Sequence, residues 1–161
     1  MTKSSFDEIA SWKEFEELIA DYFADIQKNE GNNIIDVFVN PSGVGADGGK
    51  DILVEFTVKD SIVSYKRTWV IQCKFYGRDL KKSDLNDINI PTLIHENKAD
   101  GYLLICKNDV TSGVKLSFEN LNNNCKFGYS YQIWNGSNLK NKILGREDLL
   151  KKYFPKYFSS I

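Results

Sequence analysis

In the stretch VIQCKF, residues 70–75, Gln72 and Lys74 are two positions apart. In an extended segment that spacing puts both side chains, with Val70, on one face, while Trp69, Ile71, Cys73 and Phe75 take the other. A strand this apolar belongs near the centre of a sheet, and a lysine there is costly unless it has a partner. The nearest carboxylate is Asp51, which opens the preceding apolar stretch DILVEFTV. With Glu16 from the first helix the set becomes E…D…Q-x-K. Its hard oxygen donors, with room for water, suit Mg²⁺, with Mn²⁺ as the alternative ion. A lysine beside such an ion can help to deprotonate or orient a water for attack on phosphorus. This is the inventory of a metal-dependent phosphodiesterase.

Residues 40–56, NPSGVGADGGKDILVEF, hold a second, competing signal. Gly43, Gly45 and Gly48 spell the G-x-G-x-x-G of dinucleotide-binding loops. That loop works between a strand and a helix, because the helix N-terminus holds the pyrophosphate. Here the loop leaves one strand and enters another, so no helix dipole waits at Gly48. No G-K-[ST] follows either, which excludes a P-loop. Gly48 and Gly49 instead allow a tight turn that places Asp51 at the mouth of a strand. A plain glycine turn with a solvated aspartate is the competing reading, and the loop alone does not separate the two.

The elements that must hold these residues are readable in outline. SWKEFEELIADYFADI is a helix: Ser11 and Glu14 have capping-box spacing, and Trp12, Phe15, Ile19, Tyr22, Phe23 and Ile26 recur on one face. With Phe15 at 0° and about 100° per residue, the apolar face centres near roughly 20°, with Glu16 at about 100° and Glu17 at about 200°. Glu16 therefore borders the buried face, where a salt bridge would also account for it, and Glu17 points to water. IIDVFVN, DILVEFTV and TWVIQCKFY read as strands, with KDSIVSYKR as a hairpin connection. DLKKSDLNDINIPTLIHENK is at least partly helical and interrupted near Pro91. ADGYLLICK is a buried strand, and TSGVKLSFENLNNN a helix with Val114, Leu116, Phe118 and Leu121 as its apolar residues. YSYQIW is a fifth strand and GREDLLKKYFPKYF a closing helix. This order of elements predicts an α/β sandwich around a mixed sheet.

The chain has 161 residues, 42% of them hydrophobic and 13% aromatic. That is the composition of a folded unit with a real core, read as one domain over residues 1–161. No long apolar run and no leader-like N-terminus is present, so a cytoplasmic location away from membranes is expected. Three cysteines without C-x-x-C spacing argue against disulfides and against zinc. One histidine, His95, and no nucleophile elbow argue against a Ser–His–Asp hydrolase. Net charge is −1, but residues 1–58 carry −8, residues 59–82 carry +5 and residues 83–161 carry +2. A basic segment of that kind either meets phosphates or forms a solvated face. Its cations include Lys66, Arg67, Lys74, Arg78, Lys81 and Lys82. The last three follow the Q-x-K strand, where phosphates flanking a scissile bond would lie.

FEELIADYF, GADGGKDI and IQCKF, in this order and at these separations, resemble the Mrr-like restriction endonucleases of the PD-(D/E)xK superfamily. The resemblance runs from about residue 12 to residue 134 and is carried mainly by D-G-G-x-D followed by Q-x-K. ADGYLLICKNDVTSGVKLSFENL is similar to the strand and helix that follow the family's core. The resemblance implies a restriction-endonuclease-like three-layer sandwich with a central mixed β-sheet flanked by helices. It implies a Mg²⁺-dependent DNA endonuclease acting in bacterial restriction or anti-phage defence. The catalytic aspartate would be Asp51 rather than Asp47, the Q-x-K pair Gln72 and Lys74, and the helix glutamate Glu16. The main-chain carbonyl of Cys73 would be a further metal ligand. Gln72 stands where most of the superfamily has Glu. That removes a negative charge, lowers expected metal affinity and favours one metal over two. Lys50 replaces the superfamily's proline.

DNA is the implied partner, bound through Arg78, Lys81, Lys82, Lys66 and Arg67. No sequence-reading motif is visible, so weak specificity, or specificity from a partner, is expected. Residues 133–139 and 149–158 resemble C-terminal ends of nuclease domains that precede an ATPase or sensor module. A longer protein with such a fused or associated module, and a homo-oligomer, are therefore further expectations. Two other functions share the same residues: a structure-specific repair or junction nuclease, and a non-catalytic DNA-binding or oligomerisation module.

Overall fold

The computed structural model of the chain describes residues 6–29, 33–41 and 51–161. The glycine loop, with Asp47 and Lys50, lies outside the described residues. Helix α1 spans Trp12–Asn29. The Ser11 hydroxyl accepts from the Glu14 amide at 3.2 Å, and the Glu14 carboxylate accepts from the Ala10 amide at 3.0 Å. The expected capping box is present, with its return bond one residue before the N-cap. Phe15, Leu18, Ile19, Tyr22, Phe23 and Ile26 are buried. Trp12 is not: at 49% exposure it leaves the apolar face on which its spacing placed it. It stands in the first turn, at the mouth of the cleft described below.

Five strands follow: β1 (Ile34–Pro41), β2 (Ile52–Lys59), β3 (Ser64–Lys74), β4 (Gly101–Cys106) and β5 (Ser130–Trp134). They form one sheet in chain order. β1–β2 and β2–β3 pair antiparallel, whereas β3–β4 and β4–β5 pair parallel. The sheet is therefore mixed, as expected. β3 starts earlier than its apolar core suggested. Ser64 pairs with Lys59, and the chain reverses where the Asp60 carboxylate accepts the amides of Ile62 and Val63, each at 2.8 Å.

Helices cover both faces. On one side α1 packs with α4 (Gly136–Ile143), α5 (Glu147–Tyr153) and α6 (Pro155–Ser159) around Phe15, Ile71, Ile105 and Phe154. On the other, α2 (Ile90–Glu96) and α3 (Ser112–Asn124) pack around Val70, Tyr102, Leu104 and Phe118. This is the three-layer sandwich.

The differences from the sequence reading are local. Pro91 does not interrupt a helix but begins one, in the first turn of α2, where a missing amide hydrogen costs nothing. Pro155 splits the closing helix into α5 and α6. Helix α4 was not foreseen. Asn135 caps it by accepting from the Asn138 amide at 2.9 Å, and Gly136 is forced by contact, since a Cβ there would lie 2.0 Å from the Lys107 carbonyl oxygen. Leu116, expected on the buried face of α3, is 57% exposed.

Candidate active site

Register brings the expected residues together. β2 and β3 pair Ile52 with Ile71, so Asp51, one residue before Ile52, comes alongside Gln72. The Asp51 amide donates to the Ile71 carbonyl at 2.9 Å. Ile71 and Cys73 therefore turn their main-chain groups toward β2. Gln72 and Lys74 turn theirs toward β4, where the Lys74 carbonyl accepts from the Lys107 amide at 3.0 Å. The Cys73 amide then finds the Asp51 carboxylate: Cys73 N donates to Asp51 Oδ2 at 2.7 Å. Gln72 Nε2 donates to the same oxygen at 2.8 Å and to the Cys73 carbonyl at 3.3 Å.

The result is a convergence of oxygens at the carboxyl end of β3. One amide group bridges the Asp51 carboxylate and the Cys73 carbonyl. Gln72 is buried, and its Oε1 has no hydrogen-bond partner. An orphaned acceptor of this kind costs about 1–3 kcal/mol and is rare in a folded protein. Glu16 reaches the same place from α1. It is half-buried while Glu17 is exposed, as the helical rotation predicted. Asp51, Gln72, Cys73, Lys74 and Glu16 share a cleft of about 280 Å³.

Electrostatics agree with this placement. Burial pushes the Cys73 thiol well above its ordinary range, and the charges of Asp51 and Glu16 push it further. Burial also raises the Tyr102 hydroxyl, with the Asp51 charge the second cause. Lys74 is half-buried, with its ammonium 5.8 Å from the centroid of the Tyr76 ring.

The donors fit a hard cation. All are oxygens, and the buried Gln72 Oε1 is unsatisfied. The charge is low. Among the described residues no three His, Cys, Asp or Glu side chains group closely enough to hold a metal. Any ion here would depend on amide and carbonyl oxygens beside Asp51 and Glu16.

The basic residues divide. Arg78 follows β3 but is already engaged. It forms two bonds to Asp84, at 2.8 and 2.9 Å, and lies 5.0 Å from the Tyr76 ring centroid. That fork, with the Lys81 amide, holds the Asp84 carboxyl well below its ordinary range. Lys81 and Lys82 are exposed where the chain turns after β3, Lys82 opening a short 3-10 turn. Lys66 and Arg67 are not brought to the cleft. They lie toward the opposite end of β3, roughly 23–26 Å from Lys74 at about 3.3 Å per residue. There Lys66 pairs with Glu55 at 3.3 Å, and Arg67 covers the Trp69 ring.

Trp12, Phe15, Phe75 and Tyr76 also line the cleft. Sequence reasoning placed Trp12 and Phe15 in the core and gave Tyr76 no role. The helical spacing that brings Glu16 there could have indicated Trp12, and the strand spacing that brings Lys74 there could have indicated Tyr76. His95 is exposed on α2, with its ring edge-on to Phe127 and Tyr129.

Among the described residues no helix is long and apolar enough to cross a membrane. Two solved structures are similar in fold. The MspJI restriction endonuclease, solved in complex with a 27-mer oligonucleotide, aligns with a TM-score of 0.56 at 13% identity, over 80% of this chain and 27% of its own. The DNA modification-dependent restriction endonuclease AspBHI aligns with a TM-score of 0.53 at 10% identity, over 100% of this chain and 44% of its own. The chain thus spans less than half the length of either neighbour. No curated protein matches it. The model of the Mrr_cat restriction endonuclease family matches residues 8–143, and the chain belongs to that family.

Proposed function

We propose that the chain is a metal-dependent DNA endonuclease domain that hydrolyses phosphodiester bonds with Mg²⁺ or Mn²⁺. The observation that carries this reading is the convergence of Asp51, the Cys73 carbonyl and the buried, unpartnered Gln72 Oε1 at the end of β3. Asp51, Gln72, the Cys73 carbonyl and Glu16 would hold the ion. When bound, a divalent ion supplies Lewis-acid polarisation of a phosphoryl oxygen. The rest falls to the chain. The half-buried Lys74 orients the attacking water and offsets charge developing on the phosphate. Lys81 and Lys82 hold flanking phosphates. Trp12 and Tyr76 frame the entrance. With one carboxylate fewer than an E-x-K site, a single ion is the simpler arrangement.

The match to a restriction endonuclease family supports a role in restriction or anti-phage defence, exercised in the cytoplasm. In this reading the domain would serve within a longer protein that carries an ATPase or sensor module or works as an oligomer. The short coverage of both structural neighbours supports the longer protein.

The test is conversion of supercoiled plasmid with Mg²⁺, with Mn²⁺ and with EDTA, by the wild type and by Lys74→Ala. Nicking that needs the ion and drops at least about a hundredfold in the variant is expected, the range for a lost electrostatic or general acid–base group. Nicking that survives both EDTA and the substitution would overturn the mechanism.

A further inference from the structure

The larger cavity, about 610 Å³, is not the one that holds the carboxylates. It is a groove on the opposite layer, along one face of α3, bounded by α2 and by the loop before β5. Gly113, Ser117, Asn120 and Asn124, at helical spacing, form its floor. One end is marked by Lys82, near the start of α3. The other holds an aromatic cluster in which the rings of His95, Phe127 and Tyr129 lie 5.7–6.2 Å apart.

We infer that this groove binds an unpaired DNA strand leaving the cleft, which rests on the DNA-cleaving function proposed above. Three features of the lining support this occupant. The charged lining is entirely basic: Lys82 and Lys126 contribute, and no Asp or Glu does. Phe127 is 70% exposed yet held by its neighbours, so it offers a free π-face without belonging to the core. The floor sets the Ser117 hydroxyl and the Asn120 and Asn124 amides, able to meet base edges and sugar oxygens in any sequence, among the apolar side chains of Leu116 and Leu121, against which bases can pack. Cationic walls with aromatic platforms are what sequence-tolerant single-strand grooves use.

The groove is also correctly placed. The backbone bridge between Leu80 and Val110 pins the turn carrying Lys82 beside the carboxyl end of β4. The Lys82 end thus lies at the same end of the sheet as Asp51 and Lys74. The Phe127 end lies beyond the C-terminus of α3, roughly 16 Å away at about 1.5 Å per residue. That length takes about five nucleotides at the 3.4 Å rise of a stacked strand. The chemistry therefore favours substrates with a displaced or overhanging strand.

The test is fluorescence anisotropy of a labelled dT 12-mer and of a blunt duplex, in EDTA, with the intact chain. Combined Phe127→Ala and Tyr129→Ala should weaken 12-mer binding roughly tenfold or more, with duplex binding little changed. Lys126→Ala should lower the slope of log affinity against log salt by about 0.7 for the 12-mer. Unchanged 12-mer affinity, or equal loss for both probes, overturns the groove. Plasmid cleavage is scored separately. A protein that cuts but shows no groove dependence loses this inference and keeps its nuclease function. One that binds the 12-mer through Phe127 and Tyr129 but never cuts keeps the groove and loses the nuclease.

Discussion

Gln72 Nε2 donates to Asp51 Oδ2 at 2.8 Å, and the other atom of the same amide, Oε1, is buried without a partner. The side chain is thus satisfied on one end only. Replacing the amide by a carboxylate removes the donor and sets two negative oxygens against each other. Gln72→Glu should therefore lower the melting temperature without metal, because like charges this close disfavour the double anion. It should also enlarge the rise in melting temperature produced by added Mg²⁺, because the charge count of the site increases. Thermal melts of both proteins with EDTA and with MgCl₂ check the two signs together. A variant that gains nothing from Mg²⁺ would remove the metal from this site.

Asp51 has two tasks, and two substitutions separate them. As a hydrogen-bond acceptor it satisfies the Cys73 amide at 2.7 Å. As a carboxylate it supplies charge. Asp51→Asn keeps an acceptor oxygen, so its stability should stay close to wild type while nicking is lost. Asp51→Ala leaves the Cys73 amide unpaired and should cost about 1–3 kcal/mol in urea denaturation as well. If both variants melt alike, the bond to Cys73 has no structural role.

These two tasks also show why the candidate site was legible before the fold was. Period-two alternation in β3 and 100° rotation in α1 place Gln72, Lys74 and Glu16 without any tertiary information. The two-core sandwich follows from the same alternation, because Ile71 and Val70 must face opposite helix layers. What stayed hidden depends on contacts between distant parts of the chain. The exposure of Leu116 depends on a loop, residues 125–129, that leaves a groove open. The engagement of Arg78 depends on Asp84 folding back from the next turn. Helix α4 begins at Gly136 because the Lys107 carbonyl occupies the space a side chain would need. None of these has a signature within its own window of sequence.

The Arg78–Asp84 fork makes a prediction opposite to a simple phosphate contact. Arg78 is already neutralised, so Arg78→Ala should change the salt slope of duplex binding less than Lys81→Ala or Lys82→Ala does, each of those losing about 0.9 per phosphate contact. The substitution should instead release Asp84. Its carboxyl is held down first by the Arg78 bond and then by the Lys81 amide, so its titration midpoint should rise toward the ordinary value when Arg78 is removed. The sign of the stability effect follows. A depressed carboxyl contributes above its unfolded pKa and loses that contribution as pH falls through its folded one. Carboxyl NMR titration of Asp84 in both proteins measures the change.

The three cysteines should behave as two classes. Burial pushes Cys73 far up, and burial pushes Cys106 up to about 12. Cys125 is partly exposed and is drawn down instead, mainly by the Phe127 amide and also by the amides of Gly128 and Tyr129. Only the thiolate attacks an electrophile, so Cys125 should be alkylated first near neutral pH, and the other two only on unfolding. Mass spectrometry after brief iodoacetamide treatment, with and without urea, should show one and then three modified thiols. The same shifts set an alkaline limit. Between about 9 and about 12 the folded chain keeps the Cys106 proton that the unfolded chain has lost, so stability is intact below that window and falls as pH rises through it. A melting temperature flat across that range would contradict the burial of this thiol. Because Cys125 lies in the groove with Phe127, a dT 12-mer bound there should also slow its alkylation. That protection should vanish in the Phe127→Ala, Tyr129→Ala protein while the rate at Cys125 without DNA persists.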